Sequence, residues 1–243
     1  MSYALGASHS AILSRKDFSP EETAKIEAVI SRREAGEPLQ YIFGGAEFYG
    51  RDFCVGSGVL IPRHDTETLI DAVKKCVAPE ESFAFVDWGT GSGCIAVTLL
   101  LEFPNAFAYM TDASPEALKY AEKNVSRYGL EARTAVNQLP ESCRAIISNP
   151  PYIPSGEIEG LMRSVRDYEP HSALDGGEDG MKYYHEIYSL GMRILEPHGY
   201  IILETGSMKQ VQALKVSDGN FVFAGEVLDG GNFPRALIFR RRN

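Results

Sequence analysis

Apolar residues recur along this chain with two periods, and the change from one to the other divides it. From Ser19 to Gly36 the run SPEETAKIEAVISRREAG sets Ile26, Val29 and Ile30 on one helical face. Ser19 reads as the N-cap, Pro20 as the first helical residue and Gly36 as the stop. With acids in the first turn and arginines in the last, this predicts a helix over 20–35. Its apolar face has to pack on the main domain or on an N-terminal partner helix. Gly44 to Gly58, GGAEFYGRDFCVGSG, alternates aromatic and polar residues between glycines and predicts a β-hairpin. Leu69, Ile70 and Val73 return to helical spacing, so a second helix runs from near Asp65 through Lys75.

After Ser82 strands and helices alternate. FAFVDWG, CIAVTLLLEF, AFAYMTDA, SPEALKYAEKNVSRYG, a weak ARTAVN, AIISN, a helix around Tyr183 to Leu195 and YIILETG follow in order. Such βαβα order implies a parallel sheet with helices on both faces. The last two strands, FVFAGEVL and RALIFR, are separated only by the 229–234 turn and are predicted to pair antiparallel at the sheet edge. The chain thus divides into a short helical segment over 1–43, a β-hairpin linker over 44–63 and an α/β domain over 64–243. At 243 residues and 44% hydrophobic, it is long enough for one sizeable core with a small appendage.

Composition narrows the chemistry. A formal charge of −9 argues against a broad phosphate-neutralising surface, so nucleic acid is not the expected partner. Cys54, Cys76, Cys94 and Cys143 are far apart without C-x-x-C spacing, and the five histidines form no H-x-x-x-H pair. No metal is predicted, and the cysteines read as reduced structural thiols. No apolar run is long enough to cross a bilayer, and MSYALGASHS lacks the basic and apolar segments of a secretion signal. The expectation is a cytoplasmic enzyme.

FVDWGTGSGCIAV puts Gly89, Gly91 and Gly93 between a strand and a helix, where glycines let the backbone turn sharply and approach a ligand. The dinucleotide fingerprint G-x-G-x-x-G is not met, because Cys94 stands three positions after Gly91. Alone, such a turn fits a structural loop as well as a ligand cradle. The next strand ends at Asp112, where an acid accepts the hydroxyls of a ribose; Ser114 is the better cap for the following helix. Turn and acid together indicate a nucleoside-bearing cofactor.

In AIISNPPYIPSG two prolines remove two backbone donors and fix two φ angles, so Asn149 to Tyr152 forms a stiff rim at a strand end. The Asn149 side-chain oxygen and the Pro150 carbonyl are two fixed acceptors for a planar NH₂ group, with Tyr152 as a flat wall. Such a nitrogen is a weak nucleophile, and orientation plus electrostatic support would activate it toward a methyl donor.

The order DWGTGSG, TDASPEALKYAEKN and AIISNPPYI, preceded by RREAGEPLQYIFGGAEFYGRDFCVGSGVLIPRHDTETL, resembles the HemK family of protein-glutamine methyltransferases over roughly Arg32 to Arg240. The resemblance implies the class I S-adenosylmethionine-dependent methyltransferase fold: Rossmann-like α/β, with a mostly parallel seven-stranded sheet, an antiparallel edge strand, and a small N-terminal helix and hairpin. It implies S-adenosylmethionine as donor, S-adenosylhomocysteine as product and a glutamine side-chain amide as target. In one branch that glutamine lies in the Gly-Gly-Gln loop of peptide-chain release factors, and a sister branch modifies a ribosomal protein. Carried over by motif, Gly89, Thr90, Gly91, Ser92 and Gly93 lie against the methionine part, Asp112 bonds the ribose, and Asn137 or Gln138 meets the adenine. Asn149, Pro150, Pro151 and Tyr152 form the target site and Asn149 also borders the cofactor; Asn149, Pro150 and Tyr152 are the catalytic candidates. Glu169 to Tyr184 implies a lid or substrate-facing loop. In Pro62 to Glu67, His64 stands where the family has proline, and the roughly forty residues before the hairpin are fewer than the family's usual N-terminal domain. Two other functions share these motifs: adenine amino-methylation in nucleic acid, and cofactor binding without catalysis.

Overall fold

A computed structural model describes residues 10, 12, 14, 17–216 and 219–243. Helix α1, Pro20–Glu34, begins with the expected cap: the Glu22 N–H donates to Ser19 Oγ at 3.2 Å, and the Ser19 N–H donates back to Glu22 Oε2 at 2.9 Å. None of its residues is buried, and Ile30 is 48% exposed. Helix α2, Leu39–Phe43, leads into the hairpin of β1, Gly45–Phe48, and β2, Arg51–Cys54, which pair antiparallel. Its two-residue turn, Tyr49 and Gly50, has φ of 52° and 68°, the geometry that matches strand twist in short hairpins.

Helix α3, Glu67–Cys76, follows a short 3₁₀ turn at His64–Thr66. The α/β domain then runs β3 Ala84–Trp88, α4 Cys94–Glu102, β4 Phe107–Thr111, α5 Pro115–Arg127, β5 Thr134–Val136 and β6 Cys143–Ser148. After one helical turn, α6 Arg163–Arg166, come α7 Lys182–Ile194, β7 Leu195–Glu204, α8 Met208–Lys215, β8 Phe221–Leu228 and β9 Pro234–Arg241. The seven-stranded sheet has the order β5-β4-β3-β6-β7-β9-β8. Strands β5 through β7 are parallel, and β9 runs antiparallel to both β7 and β8. The antiparallel pair expected at the edge is therefore present, with β8 outermost. Helix α8 was not legible in the sequence, because its two polar-flanked turns show little apolar period.

Side chains alternate across the sheet as a period of two requires. Phe85, Ile147, Ile202 and Ile238 face one core with α3, α4 and α5, while Val86, Ile146, Ile201, Leu203, Leu237 and Phe239 face the other with α7 and α8. No described helix is long and apolar enough to cross a membrane.

The hairpin is built into the first core, since Phe48 and Phe53 are fully buried there. Asn124 of α5, also fully buried, ties the hairpin to the site. Its Oδ1 accepts from the Cys54 N–H at 2.7 Å, while its Nδ2 donates to the Cys54 carbonyl at 3.0 Å and to the Ser92 carbonyl at 2.8 Å. Asn124→Ala leaves those backbone groups unpaired and should lower the unfolding free energy by about 2–4 kcal/mol, given roughly 1–3 kcal/mol per stranded group. Urea denaturation checks this: an unchanged midpoint would mean that the apolar contacts of Phe48 and Phe53 alone hold the hairpin.

Candidate active site

Three strand ends converge where the strand order reverses between β3 and β6, the usual ligand crevice of an open α/β sheet. Strand β3 leads into the Gly89–Gly93 turn, β4 into Asp112 and β6 into Asn149. Gly89, Gly91 and Gly93 have φ of 71°, 56° and 79°, a left-handed region that strains other residues. Gly93 also has no room for a side chain, because a Cβ would lie 2.8 Å from Met110 Cε and 3.2 Å from Ala121 Cα.

The turn folds around two acids. Asp87 Oδ2 accepts from Thr90 Oγ1 at 2.6 Å and from the Ala96 N–H at 3.1 Å. Asp112 Oδ2 accepts from the Gly91 N–H at 2.9 Å, and its Oδ1 from the Ser114 N–H at 2.8 Å. Both Asp112 oxygens are thereby oriented and each keeps a further lone pair for a ligand hydroxyl. Ser114 caps α5 by accepting from the Ala117 N–H at 3.2 Å, which leaves Asp112 free of that task.

Above these residues lies a cavity of about 420 Å³, within the range of small-molecule sites. Gly89, Thr90, Gly91, Ser92, Asp112 and Asn149 line it, with Val59, Ile95, Ala117 and Pro151 among its apolar walls. A smaller chamber of about 110 Å³ is lined by Pro150, Tyr152 and Leu174. Leu60, Arg63, Asn149 and Ala173 line both, so Asn149 stands at the junction. An oriented acid, an apolar slot and a glycine-rich turn fit S-adenosylmethionine in the larger chamber, and the one cation that lines it, Arg63, is paired with Glu169. Gly93 packs inward under Ala121 and lines neither chamber, so it shapes the turn from behind. Gln138 also lines neither. Strand β5 ends at Val136, Asn137 takes φ of 55° with its N–H on the Met110 carbonyl at 2.8 Å, and Gln138 is exposed.

Residues 64–163 match the family described as "Methyltransferase small domain", and residues 1–44 match the "PrmC N-terminal domain". The release factor glutamine methyltransferase of Geobacter sulfurreducens is 42% identical over 79% of this chain and 68% of its own length. That of Rhodospirillum rubrum is 39% identical over 99% of this chain and 76% of its own. The chain belongs to the release factor glutamine methyltransferase family. A methyltransferase from Pyrococcus furiosus shares the fold, with a TM-score of 0.54 and 16% identity over 90% of this chain and all of that one. The fold is the class I S-adenosylmethionine-dependent methyltransferase fold, as the resemblance implied.

In this member of the release factor glutamine methyltransferase family the Asn149–Tyr152 rim is held mainly by its backbone. The Tyr152 carbonyl accepts from Gln210 Nε2 at 2.7 Å, and the Gly176 N–H donates to the Ile153 carbonyl at 2.8 Å. The Ile153 N–H donates to the Leu174 carbonyl at 3.0 Å. A Cβ on Gly176 would meet Tyr152 Cα at 2.8 Å, and one on Gly206 would strike the Tyr152 ring. The Asp175–Gly180 run therefore braces the rim from behind. Its forerunner Pro170–Ala173 faces the larger cavity, so the segment expected as a lid or substrate-facing loop divides between wall and brace.

Several functional side chains escaped the sequence reading. Asn149 Nδ2 donates to Thr66 Oγ1 at 3.0 Å, and its Oδ1 has no partner among the described residues. Arg63, which borders both chambers, pairs with the buried Glu169 at 2.5 Å, and Glu169 Oε2 also accepts from the Ile61 N–H at 3.1 Å. Thr66 and Arg63 lie in the quoted Pro62–Glu67 run, but only the fold brings them to Asn149 and Glu169. Asp87 and Glu204 end strands at the same carboxyl edge as Asn149, which was a readable signal.

Burial pushes the Asp87 carboxyl up from 3.8 to about 7, against the opposing hydrogen bonds from Thr90 and Ala96. Between those values the unfolded chain has released a proton that the folded chain keeps. Asp87's contribution to stability is thus full below pH 3.8 and is lost as the pH rises through about 7. Asp87→Asn should flatten the decline in unfolding free energy over that window relative to the parent protein. Urea melts at a series of pH values measure it, and parallel pH slopes for the two proteins would contradict the assignment.

Proposed function

We propose that this protein transfers a methyl group from S-adenosylmethionine to the side-chain amide nitrogen of a glutamine in a peptide-chain release factor, at its Gly-Gly-Gln loop, in the cytoplasm. The single observation that carries the reading is Asn149 at the junction of the two chambers, its Nδ2 committed to Thr66 and its Oδ1 open. Family membership supports the target, since the relatives are named for it.

S-adenosylmethionine, when bound, supplies the methyl group as a sulfonium electrophile. Asp112 would accept from the ribose hydroxyls, and the Gly89–Ser92 turn would lie along the methionine part. In the smaller chamber Asn149 Oδ1 and the Pro150 carbonyl accept the two N–H bonds of the target amide, and Tyr152 walls its face. Holding both hydrogens fixes the nitrogen's orientation, and the two acceptors stabilise the positive charge that grows on it as the new N–C bond forms. The methyl–sulfur bond would break as the N–C bond forms, its electron pair staying with the S-adenosylhomocysteine product, and the N–H made acidic by the new charge would then lose its proton to water, so no strong base is required beforehand. Adenine in nucleic acid also presents a planar NH₂, but a net charge of −9 opposes approach to phosphates.

Incubation with radiolabelled S-adenosylmethionine and a release factor bearing the loop should label the glutamine; an unlabelled factor beside an active control enzyme rules out that substrate. Asn149→Ala should lower the rate at least about a hundredfold, the typical loss of one transition-state hydrogen bond. Methylation at the parent rate in that variant would remove the clamp from the mechanism.

A further inference from the structure

The segment from Glu204 at the end of β7 to Gln210 in α8 lines neither chamber, yet it grips Tyr152 at three points. Glu204, 1% exposed, accepts from Tyr152 Oη at 3.3 Å. Gly206 lies against the edge of the ring: a Cβ there would stand 2.5 Å from Tyr152 Cδ2 and nearer still to Cε2. Gln210, buried in α8, donates from Nε2 to the Tyr152 carbonyl at 2.7 Å. Hydroxyl, ring and main chain of one residue are each held by the same short segment.

The segment is itself fixed. The Thr205 N–H donates to the Arg235 carbonyl at 2.9 Å, Arg235 Nη1 donates back to the Thr205 carbonyl at 3.0 Å, and Thr205 Oγ1 donates to the Pro234 carbonyl at 2.8 Å, which joins the segment to the start of β9. Tyr184 Oη donates to the Glu204 carbonyl at 2.9 Å, and Ser207 caps α8 by accepting from the Gln210 N–H at 3.3 Å. Gln210 Oε1 accepts from the Gly206 N–H at 3.0 Å, and Nε2 also donates to the Gly180 carbonyl at 3.2 Å, so both N–H bonds of this amide and its oxygen are used. Gly206 is exposed and outside the left-handed region that would demand glycine, so the Tyr152 ring is what excludes a side chain there.

We propose that the Glu204–Gln210 segment is the positioning element of the amide chamber: by fixing the Tyr152 ring it sets the gap between that wall and the acceptors on Asn149 and Pro150, and so limits the chamber to a target as thin as a planar side-chain amide. This rests on the amide clamp of the proposed function and adds what holds its wall. The Tyr152 hydroxyl is engaged by Glu204, which lines neither chamber, so what Tyr152 offers the smaller chamber is its ring. A chamber of about 110 Å³ has little slack, and a shift of about 1 Å in a positioning group can cost about a hundredfold in rate. Glu204 and Gly206 touch no reacting atom; both act through Tyr152.

The test compares Gly206→Ala, Glu204→Leu, Glu204→Gln and Tyr152→Phe with Asn149→Ala and the parent enzyme. It measures kcat and KM for the release factor, and S-adenosylhomocysteine affinity by calorimetry. Gly206→Ala has to displace the ring and should lower kcat/KM about tenfold or more. Its cofactor affinity should stay within about twofold of the parent's, because Tyr152 lines only the smaller chamber. Glu204→Leu removes the acceptor for the hydroxyl and should also lose about tenfold, whereas Glu204→Gln keeps an acceptor and should stay within about threefold of the parent. In a Tyr152→Phe background, where the hydroxyl is already gone, Glu204→Leu should add no further loss. Parent-like kcat/KM in both Gly206→Ala and Glu204→Leu, beside an inactive Asn149→Ala, overturns the positioning role and leaves the clamp standing. A loss of cofactor affinity in Gly206→Ala as large as its loss in kcat/KM overturns it too. Full activity in Asn149→Ala overturns both. Should Glu204→Leu not fold, Gly206→Ala decides alone.

Discussion

The hydrogen bond from Asn149 to Thr66 is the constraint on which the site depends. Asn149 can present either an oxygen or an NH₂ to the smaller chamber, and only the first can accept an N–H bond. At 3.0 Å from Thr66 Oγ1, its nitrogen is occupied and its oxygen is available. Thr66 precedes α3, which packs into the first core through Leu69, Ile70 and Val73, while Asn149 leaves the central strand β6. The orientation of one amide is thus anchored to two of the most buried elements of the molecule.

Around that bond the protein uses main chain where it needs stiffness. Two prolines fix the rim, and Gln210, Gly176 and the Leu174 carbonyl hold the backbone after it. The glycine turn on the other side is held by Asp87 and Asp112 through hydroxyl and N–H donors. Gln210 is the one long side chain used to hold either wall among the contacts described above. The chambers meet at Asn149 because β3 and β6 are neighbours at the point where the strand order reverses.

Much of this was legible in the sequence, for identifiable reasons. The helix cap at Ser19, the hairpin, the alternating strands and the antiparallel edge depend on local pattern and short spacing. The glycine turn, Asp112 and Asn149–Tyr152 were readable because each follows an apolar strand, and strand ends of a parallel sheet share one edge. What was not readable depends on contacts between distant segments. Thr66 meets Asn149 across 83 positions, Arg63 meets Glu169 across 106, and Gln210 reaches Tyr152 across 58. Nothing local to Gln138 showed that the chain would leave β5 with Asn137 in a left-handed conformation and Gln138 exposed.

Asp87 and Glu204 show what this arrangement costs. Both are buried at strand ends, both are pushed up to about 7 by burial, and each leaves one carboxylate oxygen unpaired. Apolar residues there would pack without a desolvation penalty. Asp87 shapes the turn that would take the cofactor, and Glu204 accepts from Tyr152, which would wall the amide. An amide nitrogen has a delocalised lone pair, so its methylation depends on orientation more than on a strong base. A protein that performs this reaction has reason to sacrifice stability at the strand ends for fixed acceptors, and the placement of these two acids follows from that chemical demand.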